Sequence, residues 1–233
     1  MKDTLLLDGL EFAVRRSTRR KTIGVTIERD GSLLLTAPPH CDADALREAV
    51  RPRLLWVHTK LAARRLLQGD PPPHRYLDGE GYWYLGTSHR LKVVAGDADA
   101  PPLRLHGGWF ELKEAARPRA RAHFIAWYGA ALSQWVEAQG GRFASRLGVR
   151  PSSVTVGSLG HRWGSCAPDG GVRLHWRLAL LPTTAAEYVL VHELAHLRAS
   201  HHDRAFWDVV DRALPDWDAR RRWLAANGAR YDL

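Results

Sequence analysis

His192, Glu193 and His196 stand in the stretch VHELAHL, and a further histidine, His202, follows six residues after His196. This spacing constrains the fold because it can do chemistry only on a helix. Positions i and i+4 of an α-helix differ by about 40° of rotation and roughly 6 Å of rise, so His192 and His196 share one face. Two imidazole nitrogens on that face can converge on a single ion. Glu193, one step around from His192, is poorly aimed to be a ligand and well placed to polarise a water on that ion. The pattern predicts metal-assisted peptide hydrolysis, with Zn2+ as cofactor and Glu193 as general base.

The flanking residues predict the helix. Thr184 and Glu187 match the S/T-x-x-E capping box, with Thr183 as an alternative cap. Tyr188, Val189, Val191, Leu194, Ala195 and Leu197 supply apolar contacts on both sides of the ligand stripe, as in a buried helix. The helix is expected to end near Ala199–His201, because Asp203 suits the N-cap of a following helix that carries Phe206, Trp207 and Val210. His202 then lies at a junction where a turn can swing it back to the ion. His201 is the competing ligand, and the spacing of ten residues from His192 favours His202. No glutamate follows Glu193, which excludes a ligand of that type downstream. Asp208 and Asp211 are better suited to support an imidazole from behind than to bind the ion.

The chain has 233 residues, 45% of them hydrophobic, and no segment approaches the length of a membrane span, so no membrane partner is expected. The opening MKDTLLLDGLEF carries one lysine and a short apolar run broken by Asp8, unlike a secretory leader. Cys41 and Cys166 are far apart and outline no disulfide framework, which fits a cytoplasmic location. The formal charge of +9 gathers partly in Arg15, Arg16, Arg19, Arg20 and Lys21 and in Arg220–Arg222. Nucleic acid is therefore a possible partner but not a required one, since a general preference for arginine over lysine explains the charge equally well. Nothing in the sequence fixes the oligomeric state.

Hydrophobic periodicity predicts an α+β fold, with a β-rich N-terminal region over residues 1–115 and a helical domain with a small sheet over 116–233. Thr22–Ile27 and Ser32–Ala37 flank Asp30-Gly31 as a hairpin. Asp42 opens a helix, a second follows Pro52, and GDPPPH (69–74) marks a linker. Further strands are expected at Tyr82–Leu85, Arg90–Val94, Leu103–His106 and Trp109–Leu112. Phe124, Tyr128, Leu132 and Trp135 then recur at helical spacing up to Gly140-Gly141. No internal repeat is evident. Val154–Leu159 and Val172–Leu178 are strands, the second alternating Val172, Leu174, Trp176 and Leu178 with Arg173, His175 and Arg177. That polar face can border the cleft and hold an extended peptide by strand addition. His175, Arg177 and Trp163, the last in a packed turn, are the candidate substrate-binding residues. Cys166 is expected to be a buried structural thiol, because no cysteine-protease signature surrounds it.

Taken together, RWGSC (162–166), HWRL (175–178), YVLVHELAHL (188–197) and the HxxxFW of 202–207 resemble the YgjP-like metallopeptidases. The early basic segment with its hairpin, and YLG (84–86), are similar to that family's N-terminal half. The resemblance implies a zincin-like catalytic domain acting on a peptide or protein substrate. It also implies His192, His196 and His202 as zinc ligands and Glu193 as catalytic acid and base. More remotely the chain resembles the SprT-like and WLM groups, some of which cleave proteins attached to DNA. His175 stands where the family usually has asparagine, so that residue's role does not carry over. Two rival readings follow: a DNA-associated protease, and a non-catalytic binding module that zinc merely stabilises.

Overall fold

The computed structural model describes residues 3–28, 31–58, 60–61, 74–96, 99–160 and 162–233. The expected linker at 69–74 lies, apart from His74, outside these residues, as does Asp30 of the expected hairpin turn. The chain divides into two units, Met1–Pro71 and Pro72–Leu233.

The first unit is a four-stranded sheet followed by helical segments. Strands β1 (Thr4–Leu7), β2 (Leu10–Arg16), β3 (Gly24–Ile27) and β4 (Leu33–Ala37) are arranged in the order β1-β2-β4-β3. The β1–β2 hairpin turns at Asp8-Gly9, where φ is 53° and 72°. Two successive positive φ values are what a two-residue hairpin needs, and Asp-Gly supplies them at low cost. The hairpin expected around Asp30-Gly31 forms between β3 and β4 with a longer turn, closed by Glu28 N–H donating to Ser32 O at 2.8 Å. Helix α1 (Ala43–Val50) begins as expected, with Asp42 accepting from Ala45 N–H at 2.8 Å. Its buried Leu46 and Val50 pack with Phe12 and Leu35 in a small core.

In the second unit, β5 (Gly81–Tyr84), β6 (Thr87–Val94), β7 (Leu103–His106) and β8 (Trp109–Lys113) form a sheet in the order β5-β6-β8-β7. Its plan repeats that of the first sheet: two hairpins lie side by side, with the later strand of each paired in parallel, β2 with β4 and β6 with β8. The backbone thus carries a repeat that the sequence hides, because hairpin topology depends on turn chemistry and alternation rather than on residue identity.

Helix α2 (Ala120–Leu147) runs straight through Gly140-Gly141, where an end was expected. Each interior glycine costs about 1 kcal/mol. Burial of Phe143 and Leu147 beyond the pair outweighs that cost, and the helix stops only at Gly148, with φ 63°. A three-stranded sheet follows, β9 (Ser153–Gly157), β10 (Gly164–Cys166) and β11 (Gly171–His175), in the order β10-β11-β9. The strand expected to reach Leu178 ends at His175, and Trp176–Leu180 forms a 3-10 helix. There Trp176, Leu178, Ala179 and Leu180 are buried around a half-buried Arg177, so strict alternation stops. Helices α3 (Thr183–Ala195), α4 (Arg204–Ala213) and α5 (Trp217–Asn227) complete the unit. No described helix is long and apolar enough to cross a membrane.

The expected boundary near residue 115 does not separate two bodies. Tyr82, Leu91, Phe110 and Leu112 of the β5–β8 sheet share one core with Phe124 and Tyr128 of α2 and with Leu190 and Phe206 of the later helices. The Tyr82 and Phe124 rings stack at 4.2 Å, and the Tyr128 hydroxyl donates to Trp83 O at 2.7 Å. This sheet is therefore part of the scaffold of the histidine-bearing helix. Phe110→Ala is expected to destabilise the second unit by about 3–5 kcal/mol. Thermal unfolding followed at the Pro72–Leu233 unit should show one transition, lowered as a whole, with the helical region melting together with the sheet.

Candidate active site

Helix α3 carries His192 and Glu193 one turn from its end, and His196 is its C-cap residue. Its start differs from the expected capping box. Pro182 occupies the N-cap, and no side chain caps the helix. Glu187 instead pairs with Arg220 at 2.6 Å and with Arg142 at 3.1 Å, tying α3 to α5 and α2. Two guanidiniums outcompete a backbone N–H for this carboxylate because charge-assisted bonds are the stronger ones.

The helix ends earlier than expected, at Ala195, and a turn follows in which Ala199 N–H still donates to Ala195 O at 3.1 Å. Asp203 then caps α4, accepting from Phe206 N–H at 3.0 Å. That junction brings His202 back: its Nε2 lies 3.0 Å from His192 Nε2. His192, His196 and His202 offer ligand atoms that all fall within 4.8 Å of one another. His201 is exposed and outside the group. The Phe206 ring underlies the cluster, with centroids 4.9, 4.7 and 4.7 Å from His192, His196 and His202.

The His196 ring is oriented by Ala199 O, 3.2 Å from Nδ1. A carbonyl only accepts, so Nδ1 carries the proton and Nε2 keeps a free lone pair. His192 Nδ1 is buried and has no hydrogen-bond partner among the described residues. Asp208 and Asp211, expected to support an imidazole, are instead exposed. They project from α4 while Phe206 fills the space behind the rings. Burial, helped by the neighbouring His196 and His202, pushes the His192 pKa down to about 3. Burial also lowers that of His196, against the opposing bond to Ala199 O. Neutral imidazoles with converging nitrogens are the donor set that a divalent metal requires.

Glu193 is buried, with 7% exposure. Burial pushes its pKa up to about 7, opposed by the nearby Arg162 charge and by the Cys166 backbone N–H that its carboxylate accepts. The close neighbour is Gly164 of β10. A Cβ at that position would lie 2.6 Å from both Cγ and Oε1 of Glu193. Gly164 was legible only as part of a tight turn; its actual role is to let a strand lie directly against this carboxylate. Cys166 is half-buried rather than fully buried. Burial first, then Glu193 and Asp169, raises its thiol pKa, so its N–H and not its sulfur serves the site.

A cleft of about 360 Å³ opens beside His192 and Glu193, and Trp163 lines it. The other two candidate substrate residues lie elsewhere. His175 is only 4% exposed, and its Nδ1 accepts from Arg177 N–H at 3.1 Å. Arg177 is paired with Asp232. Both depart from the expected polar face because β11 is the central strand of its sheet and ends at His175. Strand addition to β11 is blocked for the same reason. Tyr188, Arg162, Arg221 and Leu224 also line the cleft, and none was singled out from sequence as a site residue. Tyr188 could have been, since it lies one helical turn before His192. Arg221 comes from α5, and no local pattern announces its arrival.

The family profile described as "YgjP-like, metallopeptidase domain" matches residues 21–227. A comparison with curated proteins finds no match. Among solved structures, the metallopeptidase zymogen of Pyrococcus abyssi abylysin shares 26% identity over 39% of this chain and 92% of its own, with a TM-score of 0.36. That superposition is too loose to bear on details. The profile match spans most of the chain, including the histidine cluster and the strand over Glu193, and the chain belongs to the YgjP-like metallopeptidase family.

Proposed function

We propose that the chain is a zinc-dependent peptidase in which His192, His196 and His202 hold the metal and Glu193 is the general base. The observation that carries this reading is the convergence of three imidazoles beside a buried carboxylate at the wall of an open cleft. Zinc bound there supplies Lewis acidity, polarising the scissile carbonyl and acidifying the attacking water. A fourth protein ligand would argue for a purely structural ion; among the described residues the metal-ligating group contains only the three histidines.

Glu193 accepts the proton of the attacking water on its carboxylate and later delivers it to the leaving amine nitrogen. A carboxylate with a pKa near neutrality suits both halves of that exchange. The Cys166 N–H fixes one side of the carboxylate, and Gly164 allows β10 to close over it. β10 is an edge strand of its sheet, which suits an extended peptide laid alongside. Two cations of the basic clusters are engaged within the protein and so do not support the DNA-associated alternative. Arg16 is bonded to Asp3 and to the carbonyls of Pro39 and Cys41, and Arg220 is engaged with Glu187 and Asp216.

Glu193→Gln should lower kcat/KM on a cleavable peptide by about 10²–10⁴-fold while keeping its zinc. His196→Ala should lose the zinc itself, read by elemental analysis. Wild-type rates in Glu193→Gln would remove Glu193 from the mechanism. Gly164→Ala must push the carboxylate aside; about a hundredfold loss of kcat/KM with zinc content unchanged is expected.

A pH test isolates the same group. In metal-free protein Glu193 has a folded pKa of about 7, above its ordinary 4.5, so the folded state binds its proton more tightly than the unfolded one. Its contribution to stability is full below pH 4.5 and is lost as pH rises through 7. Glu193→Gln lacks this loss, and metal-free variant protein should gain about 2–3 kcal/mol over wild type between pH 5 and 9. His192, with a depressed pKa, acts in the opposite sense, favouring the fold above its ordinary 6.5 and losing that contribution towards pH 3. Chemical denaturation across pH checks the difference.

A further inference from the structure

The cleft beside Glu193 has a chemical character that the hydrolytic mechanism does not require. Trp163, Val189 and Leu224 give it apolar walls, while Arg162 and Arg221 add two guanidiniums. Among the described residues Glu193 is the only carboxylate lining it.

The two cations are incompletely neutralised. Arg162 has no ion-pair partner among the described residues, and its charge is felt at Glu193. Arg221 bonds Asp218 at 2.8 Å, but Asp218 also meets Arg222 at 3.1 Å, so one carboxylate serves two guanidiniums. A guanidinium carries five N–H donors, and one bond to Asp218 leaves most of those of Arg221 free. Its plane is held in place by Trp207 and Trp217, whose rings lie 5.6 and 5.4 Å from it and stack on each other at 4.2 Å. Such preorganisation reduces the entropy lost on binding an anion.

Tyr188 supplies a third donor. It is 6% exposed, lines the cleft, and its hydroxyl has no hydrogen-bond partner among the described residues. Burial pushes its pKa up to about 12, so the hydroxyl keeps its proton; Arg221, Glu193 and Asp218 are the charges around it. A hydroxyl that opens on the cleft without a protein partner is free to donate to a ligand there.

We propose that this cleft receives a carboxylate-bearing residue of the substrate next to the scissile bond, its apolar stem against Trp163 and Leu224 and its carboxylate on Arg162, Arg221 and Tyr188. The carboxylate is either an acidic side chain or the substrate's own C-terminus. Only the placement beside the scissile bond rests on the peptidase reading above; the preference for an anion stands on the lining residues.

The test titrates full-length, zinc-loaded Glu193→Gln protein calorimetrically with three acetylated tetrapeptides of one sequence, Ala-Ala-X-Ala. One has X as Glu with an amidated end, one Gln with an amidated end, and one Gln with a free C-terminus. The Glu peptide, the free-ended peptide or both should bind about tenfold or more tightly than the neutral one, and which of them does so identifies the source of the carboxylate. Adding Arg162→Ala and Arg221→Ala together should reduce that ratio to about twofold or less, with zinc content and melting temperature as controls; the single variants should fall between. Equal affinity for all three peptides overturns the proposal. A ratio that survives the double substitution also overturns it, since the anion would then sit elsewhere, for instance on the zinc. Mass spectrometry of the same peptides after incubation with wild type separates the two claims. Discrimination without cleavage would sink the hydrolytic reading and leave the pocket standing, whereas cleavage without discrimination would do the reverse.

Discussion

Close contact between Gly164 and Glu193 sets the spacing on which the site depends. A strand and a helix pack this closely only where one of them lacks a side chain, and here the missing group faces a carboxylate. The contact shields Glu193 from water on one side, brings the Cys166 N–H to it, and leaves the cleft open on the other. Burial raises the proton affinity of the carboxylate while depressing that of His192 one position earlier. One low-dielectric environment thus drives an acid and a base in opposite directions, each towards its neutral form.

Much of this was legible in the chain, because the histidine spacing and the Asp203 cap are local rules obeyed by local geometry. The convergence of His202 with the α3 histidines follows from a C-cap at His196 and an N-cap at Asp203, seven residues apart in sequence. What failed to read correctly depended on distant partners. Glu187 fits a capping box in sequence but meets Arg142 and Arg220 in space. His175 and Arg177 alternate with apolar residues as a half-buried strand does, yet His175 is the cap of a 3-10 helix that contains Arg177 and buries Trp176, Leu178, Ala179 and Leu180. Gly140-Gly141 looks like a helix stop to anyone unaware that Phe143 and Leu147 have a core to enter. The Asp8-Gly9 turn, by contrast, is a strong local signal between two short apolar runs.

The twofold use of one sheet plan is a further property that residue identity conceals. Both sheets join two hairpins through a parallel central pair, an arrangement that leaves hairpin turns at a regular place in each copy. In the second copy that turn has a neighbour. Leu85 holds φ 47°, unfavourable for a bulky residue, and its N–H donates to Ala179 O at 2.7 Å.

Gly86, next in that turn, stands where a Cβ would be 2.9 Å from the Cα of Pro182, the residue at the very start of α3. The hairpin tip therefore acts as a mechanical stop against the root of the histidine-bearing helix. Giving the tip a side chain at Gly86 would press on the start of α3 and disturb the helix that carries His192 and Glu193. The YLG triplet is thus where a sheet with no chemistry of its own bears on the root of the helix that has it.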